Sequence, residues 1–241
     1  MIKSEYLKMY LLENSHFWFV GKRFFIKTYL DPIKRNTHNI LDIGSGTGGA
    51  TKFLEKYGKV TGIEKNNYAI SLAKKRGLKI IKGEAEKLPF KNNNFDLVTI
   101  FDVLYHKDVK DVKKAILEIK RVLKQNGYIL IADSALNFLK GNHSHSTYEK
   151  RRFTAGELVN VLRNNGFVTI KHSYIYFSIF PLVLLKRIFI DKFFKSKDSD
   201  VFSVPKVINL LLIFLLKLES LLLNYVKLPI GSSMVILSVK K

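Results

Sequence analysis

The chain has 241 residues, 47% of them hydrophobic and none of them cysteine. That length buries one large core, and the missing thiols rule out a disulfide framework, a thiolate nucleophile and a cysteine zinc site, in keeping with a reducing compartment. The net charge of +21 would attract any polyanion, but the lysines are scattered through every segment rather than gathered in one run, so they read as solvated helix faces.

The start, "MIKSEYLKMYLLENSHFWFVGKR", is interrupted by charge too often for the apolar core of a secretory signal, and residues 4–30 read as an aromatic-rich helical stretch. From residue 39 to 175 strand-like runs alternate with helical ones, the pattern of a mostly parallel sheet. The strands are "NILDIG", "KVTGIE", "LKIIKG", "FDLVTIFD", "GYILIAD" and "FVTIKHSYIYF", with "SSMVILSVKK" closing the chain. The helical runs between them end on Gly58, Gly77, Gly127 and Gly166, where glycine can take a left-handed C-cap. No Pro/Gly/Ser-rich linker or repeat divides the chain. Residues 1–241 are therefore expected to form a single domain: an N-terminal helical cap (1–38), a core (39–177), an apolar helical insert (178–230) and a last strand (231–241).

The stretch "NILDIGSGTGGAT", residues 39–51, runs from a strand into a glycine-rich turn. Gly44, Gly46 and Gly49 satisfy the pattern G-x-G-x-x-G that cradles a pyrophosphate at a helix N-terminus, yet a carboxylate, Asp42, sits just before the first glycine. Glu64 ends the second strand about twenty residues on, the place of an acid that binds ribose hydroxyls, and "KGEAEKLPF" adds Glu84 and Glu86 to the same rim. Asp42, Glu64 and Glu84 are a poor lining for a pyrophosphate. By Coulomb sign they suit a ligand bearing an ammonium and a sulfonium and no phosphate, such as S-adenosylmethionine.

Through "ILDIGSGTGG", "VTGIE", "GEAEKLPFKNNNFDLVTIFDVLYH" and "EIKRVLKQNGYILIAD", in that order over residues 39–133, the sequence resembles the class I S-adenosylmethionine-dependent methyltransferases. The likeness is to their type 11 group, which includes the ubiquinone/menaquinone C-methyltransferases. The resemblance implies a Rossmann-like α/β fold: a seven-stranded, mostly parallel sheet with helices on both faces, an antiparallel last strand and a helical insert before it. It implies S-adenosylmethionine as cofactor and S-adenosylhomocysteine as product. Asp42, Gly44, Gly46 and Gly48, with Ser45 among them, would form the turn beside the methionine moiety. Glu64, followed by Lys65, would bind the ribose. Glu84 and Ala85, with Glu86 next to them, would sit at the adenine, and Asp102 with Leu104 would close the pocket. Family members usually carry Asp where this chain has Glu84. The flanks "HFWFVGKR", "HSHSTYEKRRFT" and "LPIGSSMVILSVKK" are similar to membrane-associated members suspected of acting on glycans or lipid-linked precursors.

The acceptor is narrowed by chemistry. Covalent C5-methylation of pyrimidines needs a cysteine. The Asn/Asp-Pro-Pro-aromatic motif of enzymes acting on base amines is replaced by "FDVLYH", so nucleic acid is disfavoured as a partner. His106, just after the fourth strand, is the first candidate for a base; the alternative is a structural histidine capping the following helix at "KDVKD". His143 and His145 are second candidates, and no metal is expected from them, since solvated loop histidines are commoner than ligands. Arg151 and Arg152 could clamp an anionic acceptor, or be a surface pair ahead of a helix capped by Thr154 and Glu157. Phe17, Trp18 and Phe19 could roof the cofactor or pack in the core, and Arg23 could meet the cofactor carboxylate.

The insert "VPKVINLLLIFLLKLESLLLNYVKLP" carries Lys217 and Glu219 near its centre, and a single membrane crossing would leave the last strand on the wrong side of the membrane from its sheet. Lys206, Asn209, Lys217, Ser220, Asn224 and Lys227 fall on one narrow polar stripe, leaving a wide apolar face. That face is expected to lie over the acceptor site and to bury in the protein, in a homodimer interface, or in a membrane surface. The expected function is methyl transfer to an O or C atom of a small-molecule or lipid- or glycan-linked acceptor, in the cytoplasm or on the inner face of the membrane. The alternatives are a non-catalytic cofactor-binding scaffold at a membrane, a nicotinamide oxidoreductase and an RNA methyltransferase.

Overall fold

The structure, a computed structural model, describes residues 1–139, 148–185 and 204–241. Seven strands form one sheet in the order β3-β2-β1-β4-β5-β7-β6. They are β1 (Asn39–Ile43), β2 (Lys59–Glu64), β3 (Ile80–Lys82), β4 (Phe95–Phe101), β5 (Leu123–Ser134), β6 (Phe167–Ile175) and β7 (Ser233–Lys240). The first five pair in parallel, and β7 runs antiparallel to both β5 and β6. The central strands are covered on both faces, which is why "ILDI" and "VTIF" are apolar on both sides of the chain except at Asp42 and Thr99. Leu41, Ile43, Val98 and Ile100 pack on α5 (Val112–Val122) and α6 (Ala155–Asn164), while Ile40 and Leu97 pack on α2 (Phe17–Leu30).

Between β1 and β2 lies α3 (Gly49–Leu54), and between β2 and β3 lies α4 (Asn67–Lys74). Of the four glycines expected to close helices, Gly77 (φ +74°) and Gly166 (φ +82°) are left-handed. Gly58 and Gly127 are not. Gly58 is needed because a side chain there would meet the His38 carbonyl at 2.6 Å, and at the end of α5 the chain passes directly into β5, with Asn126 taking the left-handed turn (φ +60°). The N-terminal stretch is two helices, α1 (Lys3–Leu12) and α2, because the His16 ring accepts from the Trp18 N–H at 3.3 Å and starts a new helix.

The insert contributes α7 (Phe180–Leu185) and α8 (Lys206–Leu222). α8 lies along α2, close enough that a side chain on Gly21 would strike Leu216 at 2.5 Å. Its polar positions split, contrary to the single stripe expected. Asn209 turns inward, accepting from Phe17 N at 2.8 Å and donating to Ser15 O at 2.9 Å, which satisfies backbone groups at the start of α2. Ser220 is buried, and its carbonyl accepts from Thr28 Oγ1. Lys206, Lys217, Asn224 and Lys227 face outward beside a broad exposed apolar surface.

Glu219, only 3% exposed, accepts from Phe177 N (3.0 Å), Ser178 N (2.9 Å) and Ser178 Oγ (2.6 Å), and so ties α8 to the end of β6. Removing it leaves the Phe177 and Ser178 N–H groups without this acceptor. Glu219→Ala should therefore destabilise the fold by about 2–3 kcal/mol in urea unfolding, whereas an exposed change such as Lys217→Ala should be near neutral.

Candidate active site

A cavity of about 1010 Å³ opens at the C-terminal rim of β1, β2 and β4 and is roofed by α1, α2 and the insert. The turn after β1 forms its floor. Gly44 (φ +74°) and Gly46 (φ +53°) adopt backbone that L-residues rarely take, and a Cβ on Gly44 would lie 2.1 Å from Val103. Gly44 N and Ser45 N both donate to Ile63 O (2.8 and 3.1 Å), Gly46 N donates to Glu64 Oε2 (2.9 Å) and Gly48 N to Ser45 O (2.9 Å). These N–H groups are consumed within the protein, so the turn has no array of donors to offer a pyrophosphate.

Glu64, nearly buried, also accepts from Lys65 N (2.9 Å) and Asn66 N (2.8 Å). A carboxylate has about four acceptor sites, so one remains toward the cavity, enough for a ribose hydroxyl. Asp42 is buried, and its oxygens accept from Thr51 Oγ1 (2.6 Å) and Thr99 Oγ1 (2.8 Å). Burial pushes its pKa up to about 6, against the pull of those hydroxyls. Glu84 pairs with Lys65 at 3.1 Å on the outer lip, and Ala85 lies buried beside it. Glu86 accepts from Asp111 N (2.9 Å) and Lys110 N (3.2 Å), which fixes the approach to α5.

Most residues expected from the sequence meet here: Phe19, Arg23, Asp42, Gly44, Ser45, Gly46, Glu64, Lys65, Glu84, Ala85, Glu86, Asp102, His106 and Arg152 all line the cavity. Gly48, Leu104 and Arg151 are not part of the lining. Gly48 (φ +90°) sits against Ala73 and Leu78, Leu104 is fully buried in the core, and Arg151 donates to Val109 O at 2.6 Å. Arg23 spends its guanidinium on the carbonyls of Glu13 (2.6 Å) and Asn14 (3.4 Å). Arg152 is buried in a two-pronged pair with Glu149 (2.6 and 3.1 Å), so it is part of the wall rather than an open clamp. His143 and His145 lie outside the described residues. His106 Nδ1 accepts from Asp108 N at 3.1 Å in the turn, while the cap of α5 is Asp111, whose side chain accepts from Lys114 N at 3.0 Å; burial lowers the His106 pKa to about 4. Its Nε2 lies 3.5 Å from the Met1 amino group, so both ring nitrogens have partners within the protein. Among the described residues no group of three or more His, Asp or Glu could hold a metal ion.

Two features escaped sequence reasoning. Lys22, buried, forms an ion pair with Asp102, which sits on left-handed backbone (φ +56°) at the cavity wall. The signal was there: Phe25, Ile26 and Tyr29 put the inward face of α2 on Lys22, with Arg23 on its flank. The other is α1, whose end carries Glu13 to Thr47 (2.8 Å) and Arg76 (2.6 Å) and clamps the glycine turn from above.

A doubly wound sheet with a phosphate-averse glycine turn and acids at the ends of β1 and β2 defines the class I methyltransferase type of site. Family comparison agrees: a methyltransferase domain model matches residues 41–131. The chain is 31% identical to the uncharacterized protein MJ1123 of Methanocaldococcus jannaschii over 163 residues, which covers 64% of this chain and 77% of that protein. It is 30% identical to a demethylmenaquinone methyltransferase of Thermotoga maritima over 104 residues, covering 41% of this chain and 44% of that protein, less than half its length. A solved structure from Thermotoga maritima, described as an S-adenosylmethionine-dependent methyltransferase and possible histamine N-methyltransferase, superposes with a TM-score of 0.62 at 21% identity, covering 99% of this chain and 96% of that one. This chain belongs to the methyltransferase domain family, among the type 11 S-adenosylmethionine-dependent methyltransferases, with S-adenosylmethionine as its cofactor.

Asp42 gives the cofactor site a pH signature. Below about pH 6 it is protonated and loses its attraction for a sulfonium and an ammonium. Affinity for S-adenosylmethionine should rise roughly fivefold from pH 5 to pH 7, and titration calorimetry of Asp42→Asn should give a nearly flat profile.

Proposed function

We propose that this protein transfers the methyl group of S-adenosylmethionine to an O or C atom of a small amphiphilic acceptor. The observation that carries the reading is the make-up of the cavity. Its cofactor end is lined by Asp42, Glu64 and the glycine turn, while its far end is lined by Trp18, Ile179, Leu182, Val183, Ile208 and Leu212. At about 1010 Å³ it stands at the top of the usual range for one small ligand, about 300–1,000 Å³, which suits a nucleoside cofactor and an acceptor side by side. The relative named as a demethylmenaquinone methyltransferase supports an acceptor with a polar ring and an apolar tail.

The cofactor supplies an electrophilic methyl group on sulfur, displaced by a nucleophilic atom held in line with it. In this reading Asp102 takes the acceptor proton. Lys22 balances its charge, and the buried Asp133 behind it, with its pKa raised well above the carboxylate range by burial and by Asp102, is held toward its neutral form. Trp18, stacked on Tyr176 with ring centroids 4.1 Å apart, fixes one wall, and Tyr176 donates to Trp18 O at 2.6 Å. In this reading the chain acts as a single domain, which is supported by the N-terminal helices and the insert both walling the site.

The test is incubation with methyl-labelled S-adenosylmethionine and a membrane lipid extract, followed by phase separation. Label should enter the organic phase, and Asp102→Asn should lower the rate by about 10²–10⁴ while cofactor affinity stays within a few-fold. Label confined to water-soluble metabolites, RNA or protein would overturn the acceptor class.

A further inference from the structure

The insert helix α8 carries apolar residues on both faces, with Leu216 packed inward against α2. Asn209, Glu219 and Ser220 face the protein, and Leu210, Leu211, Phe214, Leu218, Leu221 and Leu222 face outward, the first three of them each more than half exposed. Val207 (79%) and Tyr225 (86%) extend the exposed face at its two ends. Soluble proteins seldom leave so continuous an apolar surface to water. The inward polar groups are fully used by α2 and β6, so α8 has no rotation about its axis that would bury the leucines without orphaning those bonds.

We infer that the outward face of α8 docks the protein on an anionic lipid bilayer, placing the mouth of the cavity against the membrane. The inference rests on the amphiphilic-acceptor reading for its purpose, though the docking itself is a property of the helix. Three observations select a bilayer. Charge comes first: Lys206 and Lys217 lie on the helix and Lys227 just beyond it, and its one carboxylate, Glu219, is buried. Two copies packed face to face would bring these lysines together with no acid on either helix surface to meet them. An anionic headgroup layer offers the opposite sign, and the chain's +21 adds long-range attraction.

Length is the second. Among the described residues no helix is long and apolar enough to cross a membrane, and the 17 residues of α8 span about 25 Å, short of a hydrocarbon core of about 30 Å. An apolar face with lysines that can snorkel beside it suits a helix lying in the interface. The third is position. Ile208 is at once about half exposed and part of the cavity wall, as is Leu182 of α7, so the exposed face and the cavity mouth share an edge. An acceptor with its tail in the bilayer would reach the site without crossing water.

The experiment is flotation of the full chain with phosphatidylglycerol vesicles and with phosphatidylcholine vesicles, comparing wild type with Leu210→Glu/Phe214→Glu. Both positions lie outside the cavity lining, so calorimetric affinity for S-adenosylhomocysteine should be unchanged and certifies that the variant is folded. Wild type should float with the anionic vesicles and not with the neutral ones. The double variant should bind at least about tenfold more weakly. No flotation of wild type, equal flotation of a folded double variant, or conversion by that variant of a stable dimer to a monomer without any lipid effect would each overturn the proposal. Flotation as expected, with label transferred only to water-soluble acceptors, would leave the docking surface standing and overturn the amphiphilic-acceptor reading instead.

Discussion

Everything at the site depends on how the turn after β1 closes its own hydrogen bonds. Two N–H groups go to Ile63 O, one to Glu64 and one to Ser45 O, while Asp42 is held from both sides by Thr51 and Thr99. The same G-x-G-x-x-G spacing with open N–H groups would be a phosphate cradle. Closed in this way it becomes a floor of fixed negative potential, and the ligand it accepts changes sign. Glu64 is the hinge of the arrangement, since one carboxylate joins the β1 turn to the β2–α4 turn and keeps an oxygen site toward the cavity.

That floor is only half a pocket. The roof is made of segments outside the matched domain: α1 clamps the turn through Glu13, α2 delivers Lys22 to Asp102, and the insert closes the far end. The family model matches residues 41–131, which carry the glycine turn and the acids at the strand ends, and the roof lies outside that match. α8 shows how strongly the roof is tied down. Asn209, Glu219 and Ser220 are committed to α2 and to the end of β6, Leu216 packs against Gly21, and most of the helix's other leucines face out.

Much of this was legible in the sequence. The seven strands fall close to where periodicity and turn residues put them, except that β5 starts at Leu123, within the run expected to be helical up to Gly127. Asp42, Glu64 and Glu84 converge because strand ends in this topology share a rim. What the sequence left hidden depends on tertiary partners. The pairing of Arg152 with Glu149, and the contacts of the two His106 ring nitrogens with Asp108 N and the Met1 amino group, come from distant or turn partners that the local sequence pattern does not announce. The polar stripe of α8 was visible, but not that α2 offers backbone groups for Asn209 and so draws part of that stripe inward. Gly58 and Gly127 differ from Gly77 and Gly166 for a similar reason, close approach of neighbouring backbone rather than local helix capping.

The central claim is that the glycine turn serves a sulfonium cofactor and not a dinucleotide. Titration calorimetry of the folded protein with S-adenosylhomocysteine, alone and in the presence of excess NAD, with Glu64→Ala as control, tests it most directly. Saturable binding of the sulfur compound, indifferent to NAD and lost in the variant, is the predicted result. Displacement by NAD, or a folded protein that binds neither S-adenosylhomocysteine nor S-adenosylmethionine, would contradict it.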